Sequence, residues 1–208
     1  MRPKSIFIDP VAADADGLAQ VQTSTSGGSV TLNGALVIDG SFKSDYPRKI
    51  GVLSSGDDSG VTITVTGTYD TKAIAEDITG TTGGAATSDT ALYFDTITDI
   101  SLDGAAAANI SAGTLDEFAT NTIPIETSNG DPATVSLEAF SGAISAKVQE
   151  TYSRVQYDPI EYVDSPLTST SPAAASNMSN HASGVRFVAN SYSSGAELRM
   201  VINQDRKF

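Results

Sequence analysis

The stretch that most constrains this chain runs from Arg48 to Thr68, RKIGVLSSGDDSGVTITVTGT. Val61, Ile63 and Val65 alternate strictly with Thr62, Thr64 and Thr66. A period of two between β-branched apolar and polar residues marks a strand with one buried and one wet face. Ile50 and Val52 lead in on the other side of Ser54-Ser55-Gly56-Asp57-Asp58-Ser59-Gly60. Glycine takes positive φ without strain, and Asp and Ser side chains bond to nearby backbone, so that segment predicts a turn. The whole stretch therefore predicts a central β-hairpin with no catalytic group in it.

The same texture continues on both sides. Asn33-Gly34 predicts a hairpin between Ser29–Leu32 and Ala35–Ile38, because both central positions tolerate positive φ. Asp39-Gly40 is the next break. Tyr69-Asp70-Thr71-Lys72 turns into Ala73–Ile78, where Ile74 and Ile78 share a face with Glu76. Leu92 opens a long strand through Ile97, Ile100 and Leu102, and Asn109–Ser111 closes the sheet. Leu115–Phe118 reads as a helical turn. Beyond Ile123-Pro124 come a strand at Thr134–Leu137, a cleanly alternating one at Ile144–Thr151, and a last hairpin of Val185–Val188 with Glu197–Ile202 across Ser193-Ser194-Gly195. Leu167 to Ser183, rich in Ser, Ala, Pro and Asn, reads as an exposed loop. Short strands at this spacing predict a mostly β protein, an antiparallel β-sandwich of jelly-roll type in two packed lobes. The division expected is a loose N-terminal arm over residues 1–26, a sandwich domain over 27–120 and a second β lobe over 121–208. The arm is expected to order on a partner and to be dispensable for folding.

Composition supports that class. Of 208 residues, 39% are hydrophobic and only 18% charged, with Ser, Thr, Gly and Ala filling the rest. That suits strands and turns rather than amphipathic helices. The net charge of −13, from 25 acidic and 12 basic residues, disfavours phosphate backbones, so no nucleic-acid partner is expected. The absence of cysteine removes disulfides and thiolate chemistry. No apolar run reaches the ~18–20 residues of a membrane-spanning helix, so no membrane partner is expected either.

Candidate chemistry is sparse. His181, the one histidine, sits in the Ser/Asn/Ala loop, a poor place to hold a base beside an activated serine. Asp14 and Asp16 open like a calcium loop, but Thr25 stands where the closing glutamate belongs. Asp57-Asp58 is accounted for by turn chemistry, and Glu117, Glu126 and Glu138 are scattered. No enzyme activity, metal or cofactor is expected. Two groups remain as candidate partner contacts: the apolar Ile6, Phe7 and Ile8 near the start, and the tyrosines Tyr152, Tyr157 and Tyr162. Tyrosine combines apolar area with a polar tip, which suits subunit contacts and, as the rival reading, sugar stacking.

Two longer stretches carry a resemblance. PRKIGVLSSGDDSGVTITVTGTYDTKAIAEDITG, followed by YFDTITDISLDG and ISAGT, resembles the prolines, SAG-D-SG, TFTVTG, E-x-I-x-G and F-x-TVT-x-I pattern of small virion structural proteins of tailed bacteriophages. AKVQETYSRVQYDPIEYVDSPL and SGVRFVANSYSSGAELRMVINQ are similar to the C-terminal half of those proteins, where T-F-D-D-V-x-D-P precedes a loop and a strand pair ending in VIQ. Tyr152, Val155, Asp158 and Pro159 match, whereas Ser153 and Arg154 stand where the family tends to be acidic. The resemblance covers most of residues 30 to 204. It implies a non-enzymatic particle component present in many copies, a homo-oligomer (trimer or ring) that also contacts other virion proteins such as the major capsid protein. The expected location is the virion, assembled in the host bacterial cytoplasm. Within the particle it implies a capsid decoration (cement) protein that stabilises the head, or alternatively a neck or tail ring that contacts receptors. The rival class is a carbohydrate-binding adhesin module.

Overall fold

Seventeen strands and no helix make up the described part of the chain, which in this computed structural model comprises residues 3–84, 86–125, 133–152, 161–169, 173–177 and 182–203. In chain order they are β1 (Lys4–Ile8), β2 (Ala19–Thr23), β3 (Gly28–Ser29), β4 (Val37–Ile38), β5 (Ser41–Ser54), β6 (Thr62–Tyr69), β7 (Lys72–Thr79), β8 (Thr87–Asp89) and β9 (Phe94–Leu102). There follow β10 (Asn109–Ala119), β11 (Ile123–Pro124), β12 (Thr134–Ser141), β13 (Ile144–Thr151), β14 (Val163–Ser169), β15 (Ala173–Asn177), β16 (Gly184–Tyr192) and β17 (Glu197–Asn203). The protein is mostly β, with large antiparallel sheets of sandwich type. The chain divides into two units, residues 13–118 and residues 1–12 with 119–208.

In the first unit the strand order is β10-β5-β9-β6-β7, with β2 on β10, β3 on β9, and β4 and β8 on β5. The period-two stretch forms β6, and its faces are as the sequence implies: Ile63 and Val65 are buried while Thr62, Thr64 and Thr66 are partly wet. The pairing is not. β5 and β6 are not hairpin partners, because β9 lies between them, pairing Phe42↔Ile97 on one side and Val65↔Ile100 on the other. The connecting loop is held in its own fold instead. Asp58 donates its backbone N–H to Thr81 O (2.7 Å) and its carboxylate accepts from Ala107 N (2.6 Å), so three loops meet at that residue. The hairpin in this region is β6–β7, closed by Asp70 and Thr71 at φ 49° and 68° with Tyr69 opposite Lys72. Two successive positive φ values match the twist of an antiparallel pair.

Asn33-Gly34 is also a correction. It makes no hairpin; β3 pairs with β9 and β4 with β5. A side chain at Gly34 would lie 2.2 Å from the Gly17 backbone, and Gly34 N donates to Leu18 O (2.9 Å), so glycine serves a close backbone approach there. The two-residue hairpin loop falls six residues later, at Asp39-Gly40, with φ 53° and 76° and Ile38 opposite Ser41. Leu115–Phe118 is strand within β10 rather than a helical turn. Phe94, Ile97, Ile100, Ile110, Ile50 and Leu18 fill the core of this unit.

The second unit holds two sheets, β1-β17-β12-β15 and β14-β13-β16 with β11 on β16. Each buries one face: Ile8, Val135, Leu137, Leu198 and Met200 from the first, Ile144, Val148 and Phe187 from the second. β13 alternates as the sequence implies. β16 and β17 belong to different sheets, so Ser193–Gly195 carries the chain across the unit rather than closing a hairpin. β14 and β15 run through part of the segment read as loop.

The described part of the expected 1–26 arm, residues 3–26, is not loose. Lys4–Ile8 pairs along its whole length with β17, from Lys4↔Ile202 to Ile8↔Leu198. Tyr192 donates its hydroxyl to Val11 O (2.6 Å). Ala19–Thr23 pairs with β10, and Ile8, Leu18 and Ala19 are fully buried. The apolar residues of this segment are too few to announce a periodic pattern, yet three of them, Ile8, Leu18 and Ala19, occupy core positions.

Candidate functional site

The two groups of predicted contact residues meet different fates. On β1 the strand alternation sends Ile8 into the core, leaves Ile6 half-buried and turns Phe7 outward, 54% exposed. Only Phe7 of the three presents an accessible aromatic surface. Its cross-strand neighbour is Arg199 on β17, which in turn faces Glu138 on β12. Phe140, two residues on from Glu138, is 49% exposed and stacks on Phe7 with ring centroids 6.0 Å apart. The Arg199 guanidinium lies 5.3 Å from the Phe140 ring centre and is ion-paired with Glu138. The outer face of this sheet therefore carries two aromatic rings over a neutralised ion pair. Among the described residues Arg199 Nε is buried with no hydrogen-bond acceptor.

The tyrosines do not form one described cluster. Tyr157 lies outside the described residues. Tyr152 is 50% exposed and donates to Glu150 Oε2 (3.1 Å). Tyr162 is half-buried, stacks on the Arg186 guanidinium at 3.6 Å and shares a hydrogen bond with Thr122. Arg186 Nε donates to Gln149 Oε1 (2.8 Å), and Gln149 Nε2 to Asp164 (2.7 Å), which also accepts from Lys147 Nζ (3.0 Å). This row crosses β14, β13 and β16, as opposite side chains on one sheet face do. The hydrogen bonds from Gln149 and Lys147 hold the Asp164 carboxyl below the usual carboxylate range, outweighing its slight burial.

Several other acidic residues serve the local structure. Asp14 O accepts from Thr114 N (2.8 Å) and its own N–H donates to the Thr114 hydroxyl (3.0 Å), so this residue anchors a turn on β10. Asp57 accepts from the Ser59 hydroxyl (2.8 Å) and backbone, which lowers its pKa. Glu117 pairs with Lys49 (2.6 Å); burial lowers the lysine pKa, but this hydrogen bond and the charges of Tyr93, Glu117 and Asp89 raise it overall. Asp45 forms a two-pronged ion pair with Arg48, whose residue is only 2% exposed. Glu76 caps the backbone N–H groups of Ala91 and Leu92 (2.8 and 2.9 Å). Glu126 and His181 lie outside the described residues. Among the described residues no three His, Cys, Asp or Glu side chains gather as metal ligands, and no helix is long and apolar enough to cross a membrane.

Phe140 and Arg199 are the residues that the sequence reading missed. The signal was present: both Phe7 and Phe140 are aromatics on the wet phase of an alternating strand, opposite Ile6 and Ile8 in one case and Val135 and Leu137 in the other. Comparison of the chain with protein-family models, with curated proteins and with solved structures gives no match.

Proposed function

We propose that this protein is a non-enzymatic structural component of a tailed-phage virion, an oligomeric decoration (cement) protein that stabilises the head. The sequence resemblance supplies the particle. The observation that carries the reading is the Phe7–Phe140 pair, an outward aromatic surface at the rim of a sheet. Large apolar side chains on the wet face of a sheet mark protein contacts more often than chemistry. The carboxylates described around it and elsewhere are engaged in ion pairs, caps and turns, as an assembly part needs. The test is addition of purified protein to phage heads that lack it. Co-sedimentation with the heads and an increase in the temperature at which they release DNA support the reading. Protein that stays in the supernatant, with heads unchanged, overturns it.

A neck or tail ring that contacts receptors is the alternative position, and the Tyr162–Arg186 stack favours a second class, a carbohydrate-binding adhesin. A stacked tyrosine beside Gln149 and Asp164 offers a ring face and polar groups of the kind sugars use. Binding of a host-surface glycan by the isolated protein, lost in Tyr162→Ala with the fold retained, would establish it. Absence of binding across host glycans removes it.

A further inference from the structure

We propose that the outer face of β9, β6 and β7 is a docking surface for a protein partner that presents lysine or arginine side chains on a flat patch. The first ground is the distribution of charge. Residues 13–118, the first unit, hold 15 of the 25 acidic residues but only 4 of the 12 basic ones, so this unit carries −11 of the net −13. Of its four cations, Arg48 is paired with Asp45 and Lys49 with Glu117. A field of that sign attracts cationic surfaces and repels a second copy of the same unit.

The second ground is the face itself. Strand alternation sends Ile63 and Val65 into the core and turns Thr64 and Thr66 outward. Thr64 stands between Asp77 on β7 and Ser101 on β9, and Thr66 between Ala75 and Asp99. From the Thr62 row to the Thr68 row, every outward residue in these pairs is Thr, Ser, Ala or Asp. A solvated surface ordinarily interleaves charges of both signs; this one carries no lysine, arginine or glutamate. Its side chains are short, so docking immobilises little rotamer freedom.

The two carboxylates then set the chemistry of the occupant. Asp77 is exposed, accepts from the Thr64 hydroxyl (2.7 Å) and has no ion pair among the described residues. The half-buried Asp99 side chain has neither hydrogen bond nor ion pair among them. With strands ~4.8 Å apart and a rise of ~3.4 Å per residue, the two positions stand about 12 Å apart. That is too far to share one metal ion, whose oxygen ligands lie within about 2.6 Å of it. It suits two cationic side chains on one partner surface, each making a charge-assisted hydrogen bond. This face is separate from Phe7 and Phe140, which belong to the other unit. The inference does not rest on the virion reading, since it concerns the isolated protein.

A lysine decapeptide, standing in for a basic protein patch, is titrated into the isotope-labelled full chain and followed by amide chemical shifts. The face spans roughly 10 Å by 20 Å, well below the ~800 Å² per partner of a standard interface, so a Kd of about 10⁻⁴ M is expected. The largest shifts should fall on Thr64, Thr66, Asp77 and Asp99. Raising the ionic strength from about 10 mM to about 150 mM shortens the screening length from ~30 Å to ~8 Å and should weaken binding at least about tenfold. Asp77→Asn combined with Asp99→Asn keeps the shape, removes the charge and should weaken binding several-fold. Thr66→Lys, which sets a cation in the middle of the face, should move the shifts off it and is a second readout if the double variant does not fold. No binding, largest shifts on another acidic segment such as Asp14–Asp16 or Asp57–Asp58, or variants that bind like the parent would each overturn the proposal.

Discussion

Val65 is a direct probe of how the first unit is built. Its side chain is fully buried between Ile63 and Gly67 on β6, opposite Glu76 on β7 and Ile100 on β9, in the same core as Phe94 and Ile97. Val65→Ala removes two methyl groups, worth about 1.6 kcal/mol at ~0.8 kcal/mol each. A cavity term for incomplete collapse brings the cost to about 2–3 kcal/mol. For a unit of this size that corresponds to a fall in Tm of roughly 10–20 °C. Val65→Asp is worse, because the carboxylate must be buried unpaired or protonate at a cost of several pKa units. The sum reaches the ~5–15 kcal/mol that holds a domain together, so the variant should not fold. The control is Thr66→Lys one residue on, where the side chain is half-buried on the outer face beside Asp99; it should change stability by no more than about 0.5 kcal/mol. Far-UV circular dichroism during heating is the assay, since the chain has no tryptophan. A soluble Val65→Asp protein with an unchanged melting curve, or a Thr66→Lys protein that fails to fold, would refute the assignment of faces.

Four further outcomes follow from named contacts. Gly67→Ala should be strongly destabilising or fail to fold, because the added methyl would lie 1.8 Å from Thr96 O in the neighbouring strand; wild-type stability in urea would contradict it. Deleting residues 1–20 should yield insoluble or partly unfolded protein, since it strips β1 from β17 and removes the buried Ile8 and Leu18; a soluble, cooperatively melting truncation would contradict it. Asp58→Ala should cost about 1–3 kcal/mol by leaving the Ala107 N–H without its acceptor, with Asp58→Asn milder because one carboxamide oxygen can replace Oδ1; denaturant midpoints compare them. The Asp164 carboxyl is depressed by Gln149 and Lys147, so its stabilisation is present above the unfolded value of about 3.9 and is lost as pH falls through the lower folded value. Wild type and Asp164→Asn should therefore differ by at most a few tenths of a kcal/mol near neutrality, as exposed pairs do, and converge in acid; a gap that widens in acid would contradict it.

What the sequence disclosed and what it hid follow from the range of each interaction. Strand faces are local. Period-two alternation places Ile63, Val65 and Val148 inward from neighbours two residues away, and the structure agrees. Partner choice is long-range. Nothing between Ile50 and Val65 signals that β9, some thirty residues later, will lie between their strands, and the Asp58 hub that holds the loop open depends on Thr81 and Ala107. Turn residues misled for the same reason. Asn33-Gly34 has the composition of a hairpin loop, but Gly34 is there to let the chain pass Gly17. The N-terminal segment reads as an arm because one apolar triplet and two isolated core residues do not make a pattern, although each finds a partner strand or core position. Of the candidate contacts, Phe7 was legible as an apolar residue near the start, but its pairing with Phe140, far along the chain, was not.

The virion role is tested most directly by immunogold labelling of purified particles with antibody to this protein. The account predicts label spread over the heads. Label confined to the tail or one vertex would contradict the decoration role and leave the neck or tail alternative. No label on either intact or opened particles would contradict the virion role itself.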